Sequence, residues 1–291
     1  MIATFGRRFA LALADGSEVP ARVKGRRLEP VCGDLVDAVP LPNEPDWMIV
    51  AVLPRENELT RPDLRGRIEV LAANLDALIV VTADLPSPDW FIVDRYLCAA
   101  ELMRAAPAVV FNKIDLGKPQ ASSERALEEY RAIGYPTLRM SALEGTPLEA
   151  LLAFLEGRRG IFVGQSGVGK SSLINRLIER SVLPTAAVSA KRREGRHTTV
   201  SSVQVALPHG GAVIDSPGVR DYAPAVTDPA DVAHGYREIA EAARGCRFAN
   251  CRHLREPQCE VKARVATGSI SARRYESYKR LLALGERLSR A

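Results

Sequence analysis

The sequence predicts a multi-domain protein: a β-barrel (OB-like) N-terminal domain, a doubly wound α/β core, and a small metal-binding α-helical C-terminal domain. Three observations predict it. Short alternating segments with closely spaced turns fill residues 1–70, buried-type apolar runs alternate with helical patterns from residue 75, and three cysteines and a histidine crowd into residues 246–259. The expected boundaries are 1–70, 71–225 and 226–291, and 291 residues suit two or three domains.

In the first segment, apolar and polar residues alternate from Phe9 to Leu13, and Asp15-Gly16 supplies a hairpin-type turn before Val19 to Val23. Cys32-Gly33-Asp34 is a further turn before Leu35-Val36, and Trp47 to Leu53 reads as another strand. Several short strands of this kind suggest a small barrel. Its basic cluster Arg22, Lys24, Arg26 and Arg27 suits either RNA or solvent.

The core begins with Leu78-Ile79-Val80-Val81, a continuous apolar run of the kind buried on both faces of a parallel sheet. Asp89 can cap a helix whose Ile92, Val93, Tyr96, Leu97 and Ala100 share one face. Ala108 to Phe111 is the next strand, and a helix from Glu124 to Ile133 ends at Gly134 and Pro136. A helix over Leu148 to Leu155 and a strand over Gly160 to Val163 complete the alternation.

That last strand runs into Gly164-Gln165-Ser166-Gly167-Val168-Gly169-Lys170-Ser171, followed by a helix beginning with Ser172 and Leu173. The pattern G-x-x-x-x-G-K-S between strand and helix is a phosphate loop. Its glycines turn backbone N–H groups inward, and the helix N-terminus adds its positive end. Lys170 is placed to reach the β- and γ-phosphates, and Ser171 to ligate Mg²⁺. Downstream, Asp215-Ser216-Pro217-Gly218 ends an apolar strand. There Asp215 can hold Mg²⁺ through its water shell, and the Gly218 N–H can sense the γ-phosphate. Between them lies Gly195-Arg196-His197-Thr198-Thr199, where Thr199 is favoured over Thr198 to complete the Mg²⁺ shell.

Asn112-Lys113-Ile114-Asp115 follows the buried strand ending at Phe111. A carboxylate at Asp115 can accept from both N1–H and N2–H₂ of guanine, a donor pair that adenine lacks. Asn112 supports the loop, the Lys113 stem can cover the ring, and Ser141-Ala142 can offer a backbone N–H to guanine O6. The nucleotide expected is therefore GTP, with GDP as product.

In the tail, Cys246-x4-Cys251-x-His253-x5-Cys259 supplies three thiolates and an imidazole within fourteen residues, a set that can close one tetrahedral structural Zn²⁺ site. Cys32 and Cys98 stand alone in apolar surroundings, as small buried hydrophobes do. The basic excess is concentrated here, with 11 Lys/Arg against 4 Asp/Glu in residues 246–291. A helix from Ala272 to Leu288 carries part of it, facing phosphate backbones or only solvent.

The order of these motifs is rotated relative to translation-factor-like GTPases, since NKID and Ser141-Ala142 precede the phosphate loop. In that order, and in Arg55-Glu56-Asn57, Arg61-Pro62, Asp94-Arg95-Tyr96-Leu97, GQSGVGKSSL, GRHTT, DSPG and the Cys/His tail with Glu256-Pro257, the chain resembles the ribosome small-subunit-dependent GTPase family (RsgA, also called YjeQ) over nearly its whole length. The resemblance implies an OB-fold domain, a circularly permuted P-loop GTPase core and a zinc finger. It implies a role in late maturation of the small (30S) ribosomal subunit, whose rRNA would be the partner and which would stimulate hydrolysis. The N-terminus is short against that family's first strand.

Val219 sits where Ras-like proteins place the glutamine that orients the attacking water, so intrinsic hydrolysis is expected to be slow. His197 is the candidate for that role, with loop structuring as the alternative. His209 is expected in a hairpin and His234 in a helix. A zinc-dependent RNA-binding module with a regulatory, slowly hydrolysing GTP site is the competing function. A P-loop small-molecule kinase is disfavoured by NKID. No apolar run approaches the roughly 20 residues of a membrane span, and the first residues do not read as a signal peptide. The expectation is a cytoplasmic monomer with no membrane partner.

Overall fold

The computed structural model describes residues 1–25, 27–62, 68–143, 148–181, 202–208, 210–216 and 229–288. At the N-terminus, β1 (Ala3–Phe5), β2 (Arg8–Ala12), β3 (Glu18–Val23), β4 (Val36–Pro40) and β5 (Trp47–Val52) hydrogen-bond in the order β1-β2-β3-β5-β4. All of these pairs are antiparallel except β3 with β5. Alternation places Phe9 and Leu11 inside with Ala21 and Ile49, while their neighbours face outward. The turn expected at Asp15-Gly16 closes with the Ser17 N–H donating to Asp15 Oδ1 at 2.9 Å. A separate hairpin, β6 (Glu58–Pro62) and β7 (Ile68–Ala73), leads into the core.

The core sheet contains β8 (Ala77–Thr82), β9 (Ala106–Phe111), β10 (Thr137–Arg139), β11 (Arg159–Val163), β12 (Val203–Ala206) and β13 (Ala212–Asp215), ordered β10-β9-β8-β11-β13-β12. Its pairs are parallel apart from β12 with β13. The helices are α1 (Trp90–Leu102), α2 (Ala121–Ala132), α3 (Glu149–Leu155) and α4 (Lys170–Ser181). The apolar run in β8 is explained by burial on both faces. Leu78 and Val80 pack with Tyr96, Leu97 and Leu127 of α1 and α2, while Ile79 and Val81 pack with Leu151, Leu155, Leu173 and Leu177 of α3 and α4. Asp89 caps α1 as expected, accepting from the Phe91 and Ile92 N–H groups. β1 lies beside β12, so the N-terminal strands and the core form one eleven-stranded sheet.

After residue 228 the chain forms α5 (Arg237–Ala243), α6 (Glu260–Ala266) and α7 (Ala272–Leu288) around Tyr236, Ile239, Val261, Tyr278 and Leu281. His234 falls in a turn ahead of α5 rather than in a helix, because the chain must bend there to pack Gly235 against Cys98 of α1. Cys32 and Cys98 are fully buried as expected, and burial pushes both thiols up to about 12. Among the described residues no helix is long and apolar enough to cross a membrane.

Candidate nucleotide and metal sites

β11 delivers the phosphate loop at the carboxyl end of the sheet, and three glycines there adopt φ values of +133° (Gly164), +79° (Gly167) and +93° (Gly169). Two of them are also sterically required. A Cβ on Gly164 would stand 2.1 Å from the Val81 carbonyl oxygen, and one on Gly169 would stand 2.3 Å from Asn112 Nδ2. Lys170 opens α4, is 6% exposed, and arches back so that its Nζ donates to the Gly164 and Gln165 carbonyls at 2.7 and 2.6 Å. This holds the ammonium over the concave face of the loop, where phosphate oxygens would replace the carbonyls. Val168 is buried beneath the loop. Ser171 is half-buried on the first turn, and Ser166 and Ser172 are exposed.

Asn112 ties the base-reading segments together. Its Nδ2 donates to the Val168 carbonyl at 2.8 Å, and its Oδ1 accepts the Ala142 N–H at 3.1 Å. Thus NKID, the phosphate loop and the Ser141-Ala142 loop form one unit, although they are far apart in sequence. Lys113 takes φ +65° and its Nζ donates to the Leu85 carbonyl at 2.8 Å, extending the stem across the mouth of the site. Ile114 begins a single 3₁₀ turn that carries Asp115, whose Oδ1 is buried with no hydrogen-bond partner. An unpaired buried carboxylate oxygen at this position fits a donor supplied by a ligand. Asp215 stands at the end of β13 on the same edge of the sheet.

One contributor, Arg176, and one contact of the expected loop residue Gln165 were not visible in the sequence. Arg176 of α4 donates to the Ser141 carbonyl at 2.7 Å, bracing the base loop from the phosphate-loop helix. Gln165 bridges to the start of α1, accepting the Asp89 N–H at 2.8 Å and donating to Ser87 at 3.3 Å. Both contacts are long-range, and no local pattern marks them. His197, Thr199 and Gly218, with Thr198, Pro217, Val219, His209 and Arg26, lie outside the described residues.

The tail brings Cys246, Cys251, His253 and Cys259 together, with their ligand atoms all within 4.8 Å of one another. Cys246 Sγ and Cys259 Sγ are each 3.5 Å from His253 Nδ1 and 3.8 Å from each other. A tetrahedral zinc with bonds of about 2.3 Å to sulfur and 2.0–2.1 Å to nitrogen needs edges of about 3.8 Å and 3.5–3.6 Å. The cysteines are free, and the sulfur separation is far too long for a disulfide. The knuckle around the cluster is built to hold these positions. His253 takes φ +58°, and its carbonyl accepts from the Tyr275 hydroxyl. Glu256 accepts the Arg252, Leu254 and Arg255 N–H groups at 3.0, 2.8 and 3.0 Å. Burial pushes the Glu256 carboxyl up, but those backbone donors outweigh it and hold the pKa down to about 2. Burial also lowers the pKa of His253, favouring the neutral imidazole that a metal requires.

The sequence pattern of the RsgA GTPase family matches residues 52–224, a span that contains NKID, the phosphate loop and D-x-P-G in this permuted order. The chain belongs to that family. RsgA proteins, each described as a small ribosomal subunit biogenesis GTPase, resemble it closely. That of Actinobacillus succinogenes is 44% identical over 237 residues, covering 81% of this chain and 68% of the relative. That of Azotobacter vinelandii is 38% identical over 297 residues, covering 97% and 84%. Among solved structures, YjeQ from Thermotoga maritima superposes with a TM-score of 0.76 at 29% identity, covering 98% of this chain and 96% of that one. YloQ, described as a circularly permuted GTPase, gives 0.74 at 25% identity, covering 98% and 93%. As an RsgA GTPase, the chain is a GTP-hydrolysing enzyme of circularly permuted fold.

Proposed function

We propose that this RsgA GTPase acts in the cytoplasm as a monomeric assembly factor in late maturation of the small ribosomal subunit, and that the subunit stimulates its GTP hydrolysis. The observation that carries the nucleotide assignment is the buried, unpaired Oδ1 of Asp115, on the NKID segment that Asn112 ties to the phosphate loop. The ribosomal assignment is supported by relatives named as small ribosomal subunit biogenesis GTPases at about 40% identity.

In this reading Lys170 neutralises the β- and γ-phosphates, and N–H groups of residues 164–172 surround them. Mg²⁺, when bound, neutralises charge on the β- and γ-oxygens. Ser171 and Thr199 would ligate it, and Asp215 would hold it through water. The Gly218 N–H contacts the γ-phosphate and His197 orients the attacking water. Asp115 reads N1–H and N2–H₂ of guanine, while the Ser141-Ala142 loop lies beside O6.

Residues 1–70 serve as an OB-type, RNA-binding barrel. The order β1-β2-β3-β5-β4 with β3 parallel to β5 supports this topology, in a partly open form. Residues 71–225 are the GTPase unit. Residues 226–291 are a zinc domain, in which Cys246, Cys251, His253 and Cys259 hold one structural Zn²⁺ with no open position.

Sedimentation with purified subunits tests the partner. The chain should travel with the small subunit when a non-hydrolysable GTP analogue is present and much less with GDP. Equal association with small and large subunits, or none, would remove the ribosomal assignment.

A further inference from the structure

The N-terminal strands and the edge of the core sheet meet beside Asp215 and Ser216. β1 runs antiparallel beside β12, with Ala3 opposite Val203. The Gln204 N–H donates to the Ile2 carbonyl at 2.7 Å, and the Thr4 N–H donates to the Ser202 carbonyl at 2.9 Å. Thr4 Oγ1 accepts the Ser202 N–H at 3.2 Å. Ser202 then reaches the other way, its hydroxyl donating to Ser216 Oγ at 2.9 Å. Both serines are buried, at 8% and 6% exposure. Ser216 directly follows Asp215, and Ser202 follows, three positions on, the Thr199 expected at Mg²⁺.

The two residues that lead into β1 are also held from the barrel side. The Gly33 N–H donates to the Met1 carbonyl at 3.1 Å, and Cys32 Sγ donates to the Ile2 carbonyl at 3.4 Å. Gly33 itself sits so close to the chain leading into the core that a Cβ would stand 2.0 Å from the Ala73 carbonyl oxygen. A displacement of the barrel therefore pulls on β1, and a displacement of β1 pulls on Ser202.

Stability alone does not call for this hydroxyl pair. Two apolar residues of the same shape would close the end of the β12–β13 ladder at nearly equal stability. A hydroxyl pair adds direction and the capacity to change partner. A change of partner by the Ser202 hydroxyl would give the residue beside Asp215 a second discrete arrangement. Discrete arrangements of this kind are what carry coupling between sites.

We propose that Thr4, Ser202 and Ser216 are positioning residues that link the N-terminal barrel to Asp215. A partner bound on the barrel sets the Mg²⁺-holding carboxylate for hydrolysis through them, and GTP occupancy is felt at β1 through the same contacts. For binding, reciprocity follows from thermodynamic linkage: a partner held more tightly in the GTP state also tightens GTP. The stimulated half of this statement rests on the reading of the protein as a subunit-activated GTPase. The nucleotide-sensing half does not.

Two readouts on Ser202→Ala, Ser202→Thr and Thr4→Val test it. The first is the ratio of hydrolysis with small subunits to hydrolysis alone. Ser202→Ala and Thr4→Val should lower that ratio at least about fivefold, the lower end of ordinary coupling between sites, and Ser202→Thr should restore it. The second is hydrogen exchange with a non-hydrolysable GTP analogue against GDP, which needs no ribosome. The wild-type chain should show slower exchange in residues 2–12 with the analogue. Ser202→Ala should lose that difference while keeping nucleotide-dependent protection of residues 164–171. If both variants retain the wild-type ratio and the wild-type difference in β1, the relay is wrong. It is equally wrong if the wild-type chain shows no difference in β1. If small subunits fail to stimulate the wild-type chain, the ribosomal reading fails while the exchange readout still decides the relay.

Discussion

Asp94 and Arg274 stand 180 residues apart in sequence and meet at 2.8 Å with both side chains fully buried. The pair joins α1, whose N-cap Asp89 is bonded to Gln165 of the phosphate loop, to α7 of the metal-binding segment. It is fully served. Asp94 also accepts from Tyr130 Oη at 2.6 Å and from Arg273 at 2.8 Å, and Arg274 also donates to Glu238 at 2.8 and 3.1 Å. The C-terminal segment is thus seated on the core by charge as well as by apolar contact.

Removing one partner of such a pair strands the other charge. Arg274→Met should lower unfolding stability by about 3–5 kcal/mol, whereas Arg274→Met with Asp94→Leu should cost less than the two single changes added together. Urea unfolding followed by tryptophan fluorescence measures both, with Trp90 at the start of the affected helix.

Asp115→Asn removes two charge-assisted acceptors for guanine. At about 1.5–3 kcal/mol each, GTP affinity should fall by at least about 100-fold. The new amide can donate to the 2-carbonyl of xanthine, so xanthosine triphosphate should bind this variant better than GTP does. Competition against a fluorescent nucleotide gives both numbers.

Gly169→Ala places a methyl group against Asn112 at a φ of +93°. Either the loop or the Asn112 clamp must give way. Nucleotide affinity should drop more than about tenfold, since about 1.4 kcal/mol suffices for that, while helix content by circular dichroism stays unchanged.

Elemental analysis should find one zinc per chain, and Cys259→Ser should lose it. Because the ligands must be deprotonated to bind, chelation should become easier as pH falls. Loss of the metal should lower the melting temperature of the C-terminal segment and leave GTP binding in place. Stoichiometric disulfide instead of metal would contradict the cluster geometry.

Where local chemistry set the structure, the sequence was readable. The run Leu78 to Val81 announced a strand covered on both faces, Asp89 announced a helix start, and the spacing of glycines around Lys170 announced the phosphate loop. What stayed hidden depends on partners far along the chain. β1 has three residues, and nothing local in them marks the pairing of Ala3 with Val203 of β12. Arg273 and Arg274 fall in the basic surplus expected to face phosphate backbones or solvent, yet Arg274 is wholly buried and both are bound to acids on α1, α2 and α5. Arg176 and Gln165 carry no local mark of the contacts they make. The helices α5 and α6, at seven residues each, are too short for a clear periodic signal.

Steady-state GTP hydrolysis by the chain alone, with small ribosomal subunits, and with large ones decides whether the small subunit activates this GTPase. Turnover should be slow alone, strongly stimulated by the small subunit, and unchanged by the large. Equal and slow turnover in all three would contradict that activation.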